Sequence, residues 1–136
     1  MDELKRGQRE ILDAKLEVFA NINAHRNYLI TIADPEFSCL CPRTGYPDFA
    51  TIELKYVPDK WCIELKSYKL YINKFRDRGI FHEEVVNEIL DDLVRLCQPR
   101  FLGIRGDFNP RGNIHTVVTV QHFAPGFDKK TLDSCL

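Results

Sequence analysis

The sequence has no long apolar run, no excess of one charge and no low-complexity tract. Its 136 residues include 19 basic and 20 acidic side chains, which gives a formal net charge of -1. A membrane-spanning helix needs about 20 mostly apolar residues, and general affinity for nucleic acid needs a positive field. The sequence therefore argues against a membrane span and against nucleic-acid binding through overall charge.

Short motifs of several enzyme and metal-binding classes are also missing. The five cysteines form no CxxC pair, and only one residue separates Cys39 from Cys41, so a structural zinc site or disulfide framework fits poorly. The sequence has no GxGxxG, no GxxxxGK phosphate loop and no second His after HEEVV, which argues against a Rossmann fingerprint, a P-loop and a zincin. The charged start, MDELKRGQRE, lacks the apolar stretch of a secretory signal, so we expect a cytoplasmic protein with reduced thiols.

The hydrophobic pattern predicts a single α+β domain over residues 1–136, in which residues 1–20 form a helical N-terminal arm. Strands are expected at 27–33, 49–57, 61–65, 101–108 and 114–120, helices at 2–16, 66–79 and 82–97, and a long loop at 34–48. Alternation within 66–79 leaves a strand open there, whereas Val86, Ile89 and Leu93 lie on a clear helical stripe. We expect an antiparallel sheet with two helices on one face.

The predicted loop contains a candidate nucleophile. Long Pro- and Gly-containing loops often carry function, and Cys41 lies in this one, close to Arg43. A nearby cation or His82 would favour the reactive thiolate, and Asp48 would supply a proton to the product of its attack. The commoner alternative is that Cys41 is a small buried hydrophobic residue without reactivity.

Two further groups of residues have both a structural and a functional interpretation. His82 and Glu83 start a helix, where they serve as a cap and a first-turn acid, or they bind a ligand: Glu83 by accepting two N–H groups of a guanine-like ring, His82 by moving a proton. The segment 55–78 has seven Lys or Arg and three acidic residues. It is either a solvated basic face or an anion site for a phosphorylated cofactor.

Three motifs occur in order along the chain: FSCLCPRTGYPDFATI at 37–52, ELKSYKLY at 64–71 and FHEE at 81–84. A fourth, PRGN at 110–113, differs from the usual PRGG by Asn113. Together they resemble the NADPH-dependent 7-cyano-7-deazaguanine reductases (QueF), the nitrile reductases of queuosine biosynthesis, over roughly residues 27–115. The combination in this order is specific, whereas each motif alone is weak.

The resemblance implies a tunnelling fold (T-fold), in which an antiparallel sheet with two helices on one face assembles with other subunits into a barrel. The short members of the family, which this chain resembles in length, are expected to form a homodecamer of two pentamers with active sites at subunit interfaces. The implied partner is a small 7-deazapurine nitrile, with no direct contact to nucleic acid or membrane.

The resemblance also implies a chemistry. Cys41 adds to the nitrile carbon and forms a covalent thioimidate, Asp48 protonates the nitrogen, and two NADPH deliver the hydrides that give the primary amine 7-aminomethyl-7-deazaguanine. The implied catalytic residues are Cys41, Asp48 and His82; the substrate-binding residues are Ile63, Glu64, Leu65, His82 and Glu83; the cofactor-binding residues are Lys66, Ser67, Lys69 and Arg111.

Two other functions remain open at this point. A QueF-like amidinotransferase would add ammonia to the nitrile on transfer RNA and would retain Cys41 and Asp48 without needing NADPH. A non-catalytic purine- or pterin-binding module of the same fold would retain Glu83 and have no use for Cys41. The ELKSYKLY segment and the near-neutral charge favour the reductase over the amidinotransferase.

Overall fold

The computed structural model describes residues 3–136. Residues 1 and 2, where the predicted arm and its helix begin, lie outside the described residues. The elements in chain order are α1 (Arg6–Asp13), β1 (Val18–Ala20), β2 (Ile30–Leu40), β3 (Pro47–Val57), β4 (Trp61–Ile63), α2 (Leu65–Asn73), a 3-10 helix (Lys74–Asp77), α3 (His82–Cys97), β5 (Phe101–Arg111), β6 (Ile114–Phe123) and α4 (Lys129–Asp133).

The main sheet has four antiparallel strands in the order β2-β3-β5-β6. On β3 the side chains alternate, with Ile52 and Leu54 buried and Thr51 and Lys55 exposed. The buried face packs against α2 and α3 in one hydrophobic core. This one-sided packing of helices on an antiparallel sheet agrees with the predicted α+β class.

The helix α3 has the predicted bounds because its signals are strong. Val86, Ile89 and Leu93 are fully buried on one face, and Glu83 lies in the first turn, where the helix dipole favours a carboxylate. Gln98 adopts a left-handed conformation with φ 45° and ends the helix before Pro99. The segment 66–79 is helical rather than extended, since Tyr68 and Ile72 are buried at helical spacing, but its α-helix ends at Asn73.

The predicted long loop at 34–48 is wrong for most of its length. Strand β2 continues through it to Leu40, and β3 begins already at Pro47, so only residues 41–46 connect them. The register of β2 against β3 shifts between Asp34 and Phe37, around Pro35. Because proline has no N–H to donate, an irregular edge strand is where a sheet tolerates it.

The second correction concerns the strand predicted at 61–65, which is β4 in the structure and does not join the main sheet. It pairs instead with β1, with Val18 opposite Ile63. The reason is that β3 already has β2 on one edge and β5 on the other. The helical arm predicted at 1–20 is wrong at Val18–Ala20, which forms β1, and α4 was not predicted; three to five residues are too few to show a period.

The N-terminal segment is tied to the rest of the chain at its end. The predicted helix at 2–16 is shorter in the structure, and α1 buries none of its side chains. The carbonyl of Ala14 accepts a hydrogen bond from Lys74 Nζ at 2.6 Å, and the amide of Glu17 donates to Ser67 Oγ at 3.0 Å. Among residues 3–136, no helix combines the length and apolar character that crossing a bilayer requires.

Candidate active site

The short turn at 41–46 holds Cys41 in a fixed position at the end of β2. The Cys41 amide donates to the Tyr46 carbonyl at 2.8 Å, and the Gly45 amide donates to the Cys41 carbonyl, also at 2.8 Å. Gly45 has φ +74°, a left-handed conformation that glycine adopts without steric cost. The turn therefore folds back tightly and brings its own donors to the cysteine.

The Cys41 thiol is half-buried, and its pKa is lowered to about 7. The largest cause is hydrogen bonding by the Thr44 side chain, followed by the backbone amides of Thr44 and Arg43, with a smaller contribution from the Arg111 guanidinium. A thiol with this pKa is substantially thiolate near neutral pH, the form that attacks carbon. The neighbouring Cys39 is buried, which raises its pKa to about 11.

Asp48 is a buried carboxylate just beyond the turn at 41–46. It is 4% exposed and lies opposite Cys39 in the β2–β3 register. Its Oδ1 accepts a hydrogen bond from Arg111 Nη1 at 2.6 Å, and its Oδ2 lies 3.2 Å from His82 Nε2. A buried carboxylate needs such partners for both oxygens, and here they come from two different elements, β5 and α3.

His82 is held in place by an aromatic ring and by the chain that leads to it. Its imidazole stacks on Phe108, with centroids 3.8 Å apart and planes inclined by 6°. Leu40 donates to the Arg78 carbonyl at 2.9 Å and accepts from the Ile80 amide at 3.0 Å. Since Leu40 precedes Cys41, this pairing brings the start of α3 next to the turn at 41–46, called here the nucleophile turn after its candidate nucleophile, so Cys41, Asp48 and His82 meet at one end of the sheet.

Glu83 follows His82 in the first turn of α3 and is exposed. Its backbone carbonyl accepts a hydrogen bond from Asn87 Nδ2 at 2.7 Å, a contact that leaves the side-chain carboxylate available to a ligand. A carboxylate on the rim beside the nucleophile can accept the N–H groups of a planar base.

Ile63 and Glu64, two of the predicted substrate-binding residues, lie near the end of β3 that is farther from Asp48. The Ile63 amide donates a hydrogen bond to the Tyr56 hydroxyl at 2.9 Å. The backbone of Tyr56 is about 27 Å from that of Asp48, since both residues lie on β3 and a strand rises by about 3.4 Å per residue. The Glu64 carboxylate caps α2, accepting from the amides of Lys66 at 3.1 Å and Ser67 at 2.7 Å. Within one chain, the structure does not bring Glu64 to Cys41.

The four candidate cofactor residues also divide into two groups. Lys66 and Lys69 are exposed on α2, as an anion site requires. Ser67 is buried, and its hydroxyl accepts from the Glu17 amide and donates to the Glu64 carbonyl at 2.8 Å, so it links parts of this chain. Arg111 lies at the other end, on Asp48.

Sequence reasoning missed two residues that shape the site. Thr44 stood inside a recognised motif, and its position three residues after a cysteine in a tight turn is the signal that indicates a local hydrogen bond. Phe108 looked like an ordinary strand residue; its role as the platform for His82 depends on how α3 packs on β5 and has no local signal.

Comparison with known proteins gives a consistent picture. Residues 47–126 match the family model described as QueF-like protein. The chain is 58% identical over 119 residues to the NADPH-dependent 7-cyano-7-deazaguanine reductase of Aquifex aeolicus (strain VF5), a match covering 88% of this chain and 92% of that protein. It is 54% identical to the reductase of the same description from Trichodesmium erythraeum (strain IMS101), covering 90% and 87%.

Among solved structures, the fold is similar to the crystal structure of the archaeosine synthase QueF-Like in the apo form. The TM-score is 0.64, the sequence identity is 17%, and the match covers 68% of this chain and 91% of that one. At this identity the likeness concerns the fold alone.

Proposed function

The chain belongs to the QueF-like protein family and has its tunnelling fold, and on that premise we propose that it reduces the nitrile of 7-cyano-7-deazaguanine to the primary amine with NADPH. The observation that carries the proposal is the 58% identity, over most of both chains, to a protein named as this reductase. The product, 7-aminomethyl-7-deazaguanine, places the reaction in queuosine biosynthesis.

The lowered pKa of Cys41 supports the first step. Its thiolate adds to the electrophilic nitrile carbon, a C–S bond forms, and one π-bond of the nitrile becomes a lone pair on nitrogen, which takes up a proton. This converts a linear, weakly polarised group into a C=N bond that accepts hydride. The turn at 41–46 stabilises the thiolate before the substrate arrives, so the nucleophile needs no separate base.

Asp48 and His82 supply the protons. Asp48 lies beside the nucleophile turn, and His82 Nε2 is 3.2 Å from its Oδ2, within reach of proton transfer. This contact places His82 to pass a proton to Asp48 after each transfer. When bound, NADPH would supply the two hydrides, four electrons in total, that take the thioimidate carbon through the imine to the amine. When the first hydride has added, the C–S bond breaks and Cys41 leaves as the thiolate.

Recognition of the base requires the second group of residues. Glu83 accepts N–H donors of the pyrimidine edge, while Glu64, with the Ile63 and Leu65 backbone, holds another part of the ring. Because Glu64 caps the start of α2 and one chain does not bring it to Cys41, a complete site takes these residues from two copies of the chain. β2 and β6 are the edge strands of the four-stranded sheet, and such edges support assembly side by side into a barrel. A homodecamer of two pentamers remains the prediction.

The α2 lysines are the proposed cofactor contacts. Lys66 and Lys69 are exposed on α2, close to its cap Glu64. In an assembled site they would therefore lie near the part of the base that Glu64 holds. Their chemistry fits the phosphates of NADPH. The proposed setting is the cytoplasm, where reduced thiols persist, and all five cysteines are free in this structure.

The test of this function is the consumption of NADPH in the presence of the free nitrile base. Loss of NADPH absorbance with two equivalents used per amine formed supports the reductase. Protein that binds the base and forms a covalent adduct but leaves NADPH unchanged would favour an amidinotransferase instead. Binding without an adduct would favour a non-catalytic base-binding module.

A further inference from the structure

The contact between His82 and Asp48 leaves the orientation of the imidazole incompletely determined. Nε2 of His82 lies 3.2 Å from Oδ2 of Asp48, which places one nitrogen of the ring. The plane of the ring stays open, because the second side-chain torsion of histidine has a broad, roughly twofold profile. A hydrogen bond weakens when donor, proton and acceptor depart far from a line, so proton transfer depends on that plane. The imidazole therefore needs a second restraint.

The second restraint is the ring of Phe108, on β5. It lies parallel to the imidazole of His82, with centroids 3.8 Å apart and planes inclined by 6°. Phe108 is itself enclosed: it is 1% exposed and makes an edge contact with Phe37, with centroids 6.4 Å apart and planes at 85°. Because a ring packed in this way has little room to move, it keeps the imidazole from turning out of the parallel plane.

Gly106 provides the space for this stack. It is buried on the helix-facing side of β5, two residues before Phe108. A Cβ at this position would lie 2.7 Å from Val86 Cγ2 and 3.1 Å from Phe108 Cε2. Val86 lies one turn after His82 on α3, and its β-branched side chain is stiff. A methyl group at Gly106 would therefore push the start of α3 and the Phe108 ring out of their present positions.

We propose that Phe108, packed against Gly106, is a positioning residue of the nitrile reduction: its ring holds the His82 imidazole in the plane that directs Nε2 at Asp48. The inference rests on the proposed function, in which His82 passes protons to Asp48. Because Phe108 acts through His82, its loss should slow turnover without changing how the base and NADPH are bound. The alternative is an ordinary core residue, whose loss lowers stability alone.

The first experiment needs no substrate. Diethyl pyrocarbonate, which acylates imidazole nitrogens, is added to the full-length protein at a fixed pH, and mass spectrometry of the peptides gives the rate at each histidine. In Phe108→Leu the rate at His82 should rise severalfold, because one face of its imidazole is uncovered. The rates at His25 and His122 serve as internal references. Phe101→Leu, the same change at another buried position of β5, is the matched control and should leave the rate at His82 unchanged.

The second experiment asks whether Phe108 affects turnover through His82. In Phe108→Leu, kcat should fall about 10-fold to 100-fold, the effect of a small misplacement of reacting groups, while the KM for the base and for NADPH stays within about twofold. In a His82→Asn background the same change should lower kcat no further, because the group it positions is already gone. Equal losses in the two backgrounds, or a kcat no lower than in Phe101→Leu, would overturn the proposal.

Folding is checked by thermal melting, since both leucine variants lose a buried ring. If Phe108→Leu does not fold, Gly106→Ala decides by the same readouts, because it keeps every aromatic ring and displaces the stack. Gly103→Ala is then the control, since its Cβ would meet Phe101 and Gln121 instead.

The two proposals fail in different ways. If the wild type consumes no NADPH, the proposed function fails. In that case the rate of acylation at His82 still tests whether Phe108 holds the imidazole, and an unchanged rate in folded Phe108→Leu refutes it.

Discussion

The two ends of the main sheet are built differently. At the Cys41 end, the charged groups satisfy one another: Asp48 is buried between Arg111 and His82, and the nucleophile turn supplies hydrogen bonds to the sulfur. At the Glu64 end, the carboxylate caps a helix, and Leu65 beside it is 61% exposed. The comparison shows that one chain preorganises the groups at the Cys41 end; under the proposed function, base and cofactor binding would be completed by a second copy.

The largest expected effect comes from removing the nucleophile. Cys41→Ala should lower turnover by at least about 1,000-fold, because no other group can form the covalent intermediate. Binding of the base should persist, since Glu83 is unchanged. NADPH consumption and calorimetric titration with the base measure the two effects, and Cys135→Ala, in the C-terminal segment, serves as the control. Loss of binding in Cys41→Ala would contradict the assigned role.

Mixed assemblies test the division between the two ends directly. Cys41→Ala and Glu64→Gln should each be inactive alone, yet their co-expression should restore part of the activity, because some sites then combine an intact Cys41 with an intact Glu64. Cys41→Ala with Asp48→Asn is the matched control: both changes fall at the same end, so no mixed site is intact. Restoration in the control, or its absence in the first pair, would mean that each site belongs to one chain.

Removing a recognition carboxylate should have an intermediate effect. Glu83→Leu leaves the N–H donors of the base without an acceptor in a closed site, which costs about 1–3 kcal/mol, or roughly fivefold to 150-fold in affinity. Titration of the base into the protein measures the loss, and Glu84→Leu, one residue further along the exposed first turn, is the control. Equal affinities of Glu83→Leu and the wild type would remove Glu83 from this role.

The smallest effect concerns the pH dependence of the nucleophile. A thiol reacts as thiolate, so alkylation of Cys41 should rise with pH through a midpoint near the pKa of about 7. Thr44→Val removes the largest stabilising contribution and should move that midpoint up toward the ordinary thiol range, which slows alkylation at neutral pH. Thr44→Ser keeps the hydroxyl and should behave like the wild type. A midpoint that is the same in all three proteins would show that the turn does not tune the thiol.

The sequence predicted what local signals determine. The helix α3 followed from its apolar stripe and first-turn acids. The motif indicated Cys41 and Asp48 as candidate residues, and their roles stay predictions. The loop at 34–48 was misjudged because Pro35 and the small polar residues resemble a turn, whereas an edge strand accommodates them through a register shift. The placement of Arg111 was beyond sequence reasoning, since it depends on a one-residue irregularity that no composition or period reveals.

The central claim is that the Cys41 sulfur bonds to the nitrile carbon. The intact mass of the protein after mixing with 7-cyano-7-deazaguanine, without NADPH, tests it most directly. The account predicts a mass gain equal to that of the base, located on the peptide containing Cys41 and absent in Cys41→Ala. An unchanged mass in wild-type protein that demonstrably binds the base would contradict it.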